Sequence, residues 1–136
     1  MIERHELGPA ERVLPVSAPA AAHAIELARR LARGVVVGLG AVDEIAPLRR
    51  ATRDLVNVMF QPGAPEEIPW SDGFFSVVID LKGGWRDPRA AAREVARVLA
   101  PGGRAYLAQV EPGPLVEAGL SALGVEGELL ILEKSR

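Results

Sequence analysis

Phe75-Ser76-Val77-Val78-Ile79-Asp80-Leu81 is followed by Asp87-Pro88, and then by Arg93-Glu94-Val95-Ala96-Arg97-Val98-Leu99-Ala100-Pro101-Gly102-Gly103-Arg104. The first run is rich in Val and Ile, whose branched side chains suit a buried strand. Asp87 can cap a helix, and Pro88 fits its first turn, where a missing N–H costs nothing. Beyond it, Ala91, Val95, Val98 and Leu99 fall on one face of a helix that reaches about residue 99. Pro101-Gly102-Gly103 stops that helix, and residues 104–110 predict the next strand. A strand, an amphipathic helix and a second strand in this order point to parallel pairing.

The same alternation extends toward both ends. Arg12-Val13-Leu14 and Val16 make a short apolar run, bounded by Pro15 and by Ser17-Ala18-Pro19. Residues 23–33 read as a helix, with Ala24, Ile25, Ala28, Leu31 and Ala32 inward and Glu26, Arg29, Arg30 and Arg33 outward. Val35-Val36-Val37 is a β-branched strand between Gly34 and Gly38. Asp43 is placed to cap a helix through Ile45, Leu48 and Ala51, in which Pro47 fits only in the first turn. The arginines at 49, 50 and 53, like those at 29, 30 and 33, read as solvated helix faces. Residues 55–60 predict a strand ended by Gln61-Pro62-Gly63. Downstream, a short helix is expected near residues 115–120, and residues 121–125 and 128–133 read as a hairpin around Glu126-Gly127. The pattern describes a single α/β domain over residues 1–136, its core at about 12–133, with a mainly parallel sheet and an antiparallel pair at one edge.

Composition narrows the chemistry. The chain has 136 residues, 49% hydrophobic and 25% charged, the balance of a soluble globular domain. Sixteen basic and eighteen acidic residues give a net charge of −2, so nucleic acid and anionic membrane are not expected as partners. Without cysteine there is no disulfide, zinc-thiolate site, iron–sulfur cluster or cysteine nucleophile, and with only His5 and His23 there is no His-rich metal site. No stretch approaches the roughly 20 apolar residues of a membrane span. Residues 1–10 lack the apolar centre of a signal peptide, so a cytoplasmic location is expected.

Ile68-Pro69-Trp70-Ser71-Asp72-Gly73-Phe74-Phe75-Ser76-Val77-Val78 resembles the lead into the fourth strand of class I S-adenosylmethionine-dependent methyltransferases of the small-molecule kind (type 11). Asp87-Pro88 with residues 93–104 resembles that family's next signature almost residue for residue. The resemblance covers residues 12–133. It implies a Rossmann-like, doubly wound seven-stranded sheet with a C-terminal antiparallel hairpin, and a methyl-donor site at the C-terminal ends of its strands.

At the positions matching that donor site, Pro15, Ser17, Pro19, Gly40, Gln61 and Gly63, the chain departs from the family. The family's first strand opens into a glycine-rich loop that lets the backbone approach the donor closely. Here Pro15-Val16-Ser17-Ala18-Pro19-Ala20-Ala21 contains no glycine. Pro15 replaces an acid, removes a backbone donor and sits poorly in a central strand. Gly40 stands where the family's second strand ends in an acid that binds the ribose hydroxyls. Glu44 or Asp43 could reach back from the following helix, although both also read as cap and first-turn acids. Gln61-Pro62-Gly63-Ala64 stands where another acid faces the adenine. Hydrogen bonds to charged groups are worth roughly 1.5–3 kcal/mol each. Losing several would move a micromolar site toward millimolar, at about tenfold per 1.4 kcal/mol. The substrate lid is thin as well, since only residues 1–11 precede the core and residues 111–119 form a short connection.

The remaining candidates are few. Asp80 and Lys82, after the fourth strand, could orient a polar ligand or move a proton as a pair, or be a strand-end acid and a solvated lysine. Trp85 could wall a cleft or anchor a partner, Trp70 suits core packing, and His23 starts a helix. No serine has a His–Asp arrangement around it. Three readings follow. In the first, the fold serves as a non-catalytic binding or interaction module, with no cofactor and with a second copy or another protein as partner. In the second, an atypical or partner-completed site binds S-adenosylmethionine for methyl transfer to a small molecule. In the third, a different small ligand occupies the strand-end cleft, against Ser17, Gly40, Gln61, Asp80 and Lys82.

Overall fold

The computed structural model describes residues 7–17 and 23–136. Its elements are β1 (Arg12–Pro15), α1 (Ala24–Arg30), β2 (Val35–Gly40), α2 (Val42–Ala51), β3 (Val58–Pro62), β4 (Phe75–Asp80), α3 (Pro88–Val98), β5 (Leu99–Ala108), α4 (Pro112–Glu117), β6 (Leu120–Glu126) and β7 (Leu129–Lys134). The strands form one seven-stranded sheet in the order β3-β2-β1-β4-β5-β7-β6. Strands β1 to β5 pair in parallel, β7 runs antiparallel to β5, and β6 runs antiparallel to β7. This is the expected α/β sheet with its closing hairpin.

Alternation along each strand feeds two apolar layers. On one face Leu14, Val37, Leu39, Val78 and Leu107 pack with Ala92 and Val95 of α3 and Leu115 of α4. On the other, Val13, Val36, Phe60, Val77 and Ile79 pack with Ala24, Leu27 and Ala28 of α1 and Ile45 of α2. Helices on both faces make the sheet doubly wound, and the strand order reverses between β1 and β4. Ligand crevices open at such a reversal, beyond the C-terminal ends of the strands.

Several local readings are corrected. Helix α1 ends at Arg30, so Leu27 takes the inward position and Ala32 is exposed. The N-cap of α2 is Ala41, whose N–H donates to the Glu44 carboxylate at 2.9 Å, which places Asp43 inside the first turn. Pro47 is the sixth residue of α2 and so lies beyond that turn, removing one backbone hydrogen bond on an exposed face. Strand β3 starts at Val58, because Asn57 is drawn into α1: its Nδ2 donates to the carbonyls of Ala28 and Leu31 at 2.8 and 2.9 Å. Helix α4 begins at Pro112, a residue suited to a first turn, and ends before Leu120 opens β6.

Pro15 is accommodated at the end of β1. The bond there runs from the Val16 N–H to the Ile79 carbonyl at 2.9 Å and does not need the proline nitrogen. Pairing of β1 with β2 stops earlier, at Val13 with Val36. No helix among the described residues is long and apolar enough to cross a membrane.

Candidate functional site

A cleft of about 320 Å³ lies over the C-terminal ends of β1, β2 and β4. Ser17, Gly40, Glu44, Asp80, Lys82 and Trp85 are among the residues that line it. Gln61 is not, and Gly63 to Glu66 form the wall after β3 instead. Pro19, with Ala18, Ala20 and Ala21, lies outside the described residues.

Ser17 is 9% exposed, and its Oγ has no hydrogen-bond partner among the described residues. A buried hydroxyl left unpaired costs about 1–3 kcal/mol, so it marks unused bonding capacity beside the cleft. At Gly40 a Cβ would come within 3.0 Å of Ile45 Cγ2 and 3.6 Å of Glu44 Oε1. The end of β2 is thus backed by α2, and a side chain there would press on Ile45. Gly63 is held by packing, since a Cβ would lie 2.8 Å from Pro69 Cδ, and its N–H donates to the Gly40 carbonyl at 3.2 Å. Glu44 is the acid nearest the Gly40 position, and its Oε1 already accepts the Ala41 N–H.

Asp80 is 1% exposed, yet three donors satisfy it. Its Oδ1 accepts the amides of Lys82 and Gly83 at 2.9 and 3.0 Å, and its Oδ2 accepts Trp85 Nε1 at 2.7 Å. The carboxylate therefore shapes the loop after β4 and sets the indole into the cleft wall. It meets Lys82 through the backbone amide and not through the ammonium, so the structure does not join the two as a proton-transfer pair. Gly83 and Gly84 both adopt left-handed φ, +62° and +59°, and fold this loop onto the end of β5. A Cβ on Gly83 would stand 2.0 Å from the Ala108 carbonyl oxygen, a contact only glycine permits. Across the cleft, Glu66 Oε2 accepts the amides of Arg86 and Asp87 at 3.0 and 3.4 Å, tying the wall after β3 to the start of α3.

Sequence pattern alone missed the residue that clamps the segment between that wall and β4. Arg97 of α3 donates through Nη1 to the Trp70 carbonyl at 2.8 Å and to Asp72 at 2.7 Å, and through Nη2 to the Ile68 carbonyl at 2.8 Å. Its Nε donates to Glu94 at 2.7 Å, and Glu94 in turn accepts the Ile68 N–H at 2.7 Å. The hydrogen bond and charge of Arg97 hold the Glu94 carboxyl below its ordinary range, and Glu94 and Asp72 raise Arg97 further above its own. The signal was present as Arg and Glu three apart on α3, but only the fold shows what they clamp. Trp70 packs against Phe74 and Phe75 at centroid distances of 5.6 and 5.9 Å, as core and not as cleft wall. His23 occupies the N-cap position of α1 without a side-chain cap bond.

Known proteins share both the sequence pattern and the fold. The family described as Methyltransferase domain matches residues 16–107. The uncharacterized protein YafE of Escherichia coli K12 is 39% identical over 75 residues, covering 53% of this chain and 36% of that protein. The solved structure of YcgJ from Bacillus subtilis is 29% identical, with a TM-score of 0.61 over 75% of this chain and 45% of its own. An S-adenosylmethionine-dependent methyltransferase from Aquifex aeolicus shares the fold at 17% identity, with a TM-score of 0.72 over 95% of this chain and 84% of its own. The chain thus spans less than half the length of the first two relatives.

Proposed function

The chain belongs to the methyltransferase domain family, and from that premise we propose that it uses the fold as a binding or interaction module that does not hold S-adenosylmethionine in the family's usual way. The observation that carries this reading is the end of β2. Gly40 offers no carboxylate there, and a Cβ would meet Ile45 Cγ2 tightly, at 3.0 Å. Gly63 is committed to packing on Pro69, and no acid follows β3 until Glu66, which is engaged by the Arg86 and Asp87 amides. The cleft residues therefore do not fit the donor's usual contacts, and no methyl-transfer step is built on them. Two lost hydrogen bonds to carboxylates amount to about 3–6 kcal/mol, or roughly 10²–10⁴ in affinity.

One observation favours the reading as an active enzyme with an atypical or partner-completed donor site. Glu44 lines the cleft, and its Oε2 carries no hydrogen bond among the described residues. The orphan Ser17 hydroxyl supports instead a different small polar ligand in the same cleft. Isothermal titration with S-adenosylmethionine and S-adenosylhomocysteine separates these readings. No heat up to millimolar ligand is the expected result. Micromolar binding overturns the proposal and directs the search to a methyl acceptor.

A further inference from the structure

The outer edge of β6 is a strand edge that the fold leaves open, and we infer that it takes up a basic, extended segment of a partner protein as an added strand. This deepens the interaction reading above and rests on it. Among the described residues strand β6 pairs only with β7, at the end of the strand order, and residues 121–126 are all exposed. Proteins usually blunt such edges with lysine, proline or a covering element. The opposite edge does so: β3 ends in Pro62, and the Arg49 guanidinium occupies the Phe60 carbonyl at 2.7 Å. Strand β6 contains neither lysine nor proline. Its one interruption is the register shift between Ala122 and Gly124, which sets Leu123 out as a bulge.

The surroundings specify the occupant. Leu123 is 50% exposed and Val125 71%, and Val125 borders an apolar groove of about 470 Å³ with Leu107, Val110, Pro112 and Leu130. Such a groove beside an open edge can take alternate side chains of an added strand. From Ala105 to Glu133 there is no lysine, arginine or histidine, but there are five glutamates, at 111, 117, 126, 128 and 133. Glu133 pairs with Arg104 at 3.3 Å. The other four are exposed and form no ion pair among the described residues. A lysine- or arginine-bearing strand complements this rim. A second copy would bring no cation from residues 105–133 to this rim, and nucleic acid or an anionic membrane would be repelled.

The test is hydrogen exchange on the full chain with a nine-residue peptide alternating lysine and valine, beside a peptide alternating glutamate and valine. The basic peptide is expected to slow exchange of outward amides in residues 120–126, with binding that weakens as salt rises. Charge reversal in the double variant Glu126→Lys, Glu128→Lys is expected to weaken it about tenfold or more, without changing the melting temperature materially. Four outcomes overturn the inference: no protection at millimolar basic peptide, equal protection by the acidic peptide, indifference to the charge reversal, or protection without peptide that grows with protein concentration. The last would identify a second copy as the occupant. None involves the cleft, so failure here leaves the result of the donor titration unaffected.

Discussion

Arg97 is a residue whose worth cannot be judged from its position on a helix. It sits on a polar face of α3, where an arginine commonly does little, yet its guanidinium collects two backbone carbonyls and two carboxylates. The bond to the 82% exposed Asp72 side chain contributes least, because water screens it. The carbonyls of Ile68 and Trp70 and the partly buried Glu94 depend on it more. Arg97→Ala is expected to lower stability to denaturant by roughly 2–4 kcal/mol, as hydrogen bonds to a charged group are lost. Arg97→Lys should recover less than half of that, since an ammonium cannot span the same acceptors. The pH dependence has a definite sign. The Glu94 pKa is depressed in the fold, so its contribution is complete above the ordinary carboxylate value of 4.5 and is lost as pH falls below it. Chemical denaturation between pH 3 and 6 should show this acid loss in the wild type and a smaller one in Arg97→Ala. The sequence made Asp87 legible because its cap acts within one turn, on the Ala90 N–H at 3.1 Å. Arg97 was not, because three of its four partners lie more than twenty residues upstream.

Elements divide in the same way. Helix α3 was readable because its signals are local: a cap, a first-turn proline and spaced apolar residues; it ends at Val98, and the Pro-Gly-Gly read as its stop lies within β5. The start of β3 was not, because Asn57 serves the carbonyl ends of α1 before the strand can begin. The loop after β4 is another case. Its paired glycines mark a turn, but only the fold separates their duties. Gly83 lies against the Ala108 carbonyl, whereas a Cβ on Gly84 would meet nothing within 4 Å. Both substitutions to alanine incur the left-handed penalty of about 1–2 kcal/mol. Gly83→Ala adds a backbone clash, with overpacking worth about 1–3 kcal/mol more. Thermal melts should therefore rank Gly83→Ala well below Gly84→Ala. Only Gly83→Ala should shift the fluorescence of Trp85, whose indole N–H bond to Asp80 depends on that loop. Equal melting temperatures would mean that the loop moves away from β5 at little cost.

At the scale of the whole molecule, the sheet grades from a closed centre to an open edge. Residues 13 and 14 of β1 and 75, 77, 78, 79 and 80 of β4 are all buried, and both strands have neighbours on each side. Strand β6 has one neighbour and a single buried residue, Leu120. The strands and helices on both faces could be read from periodicity, and the lack of an acid at the end of β2 from Gly40 itself. The uncapped acidic edge could not, because a run without cations becomes a surface only when the strand order sets it outermost. This gradient predicts how the free protein opens. Amides of β1 and β4 should exchange only through global unfolding, while outward amides of β6 exchange through local fluctuation with little dependence on denaturant. Native-state hydrogen exchange across a denaturant series measures both. If β6 amides in dilute protein instead exchange at the global rate, the edge is already covered within the chain, and there is no vacancy for an added strand.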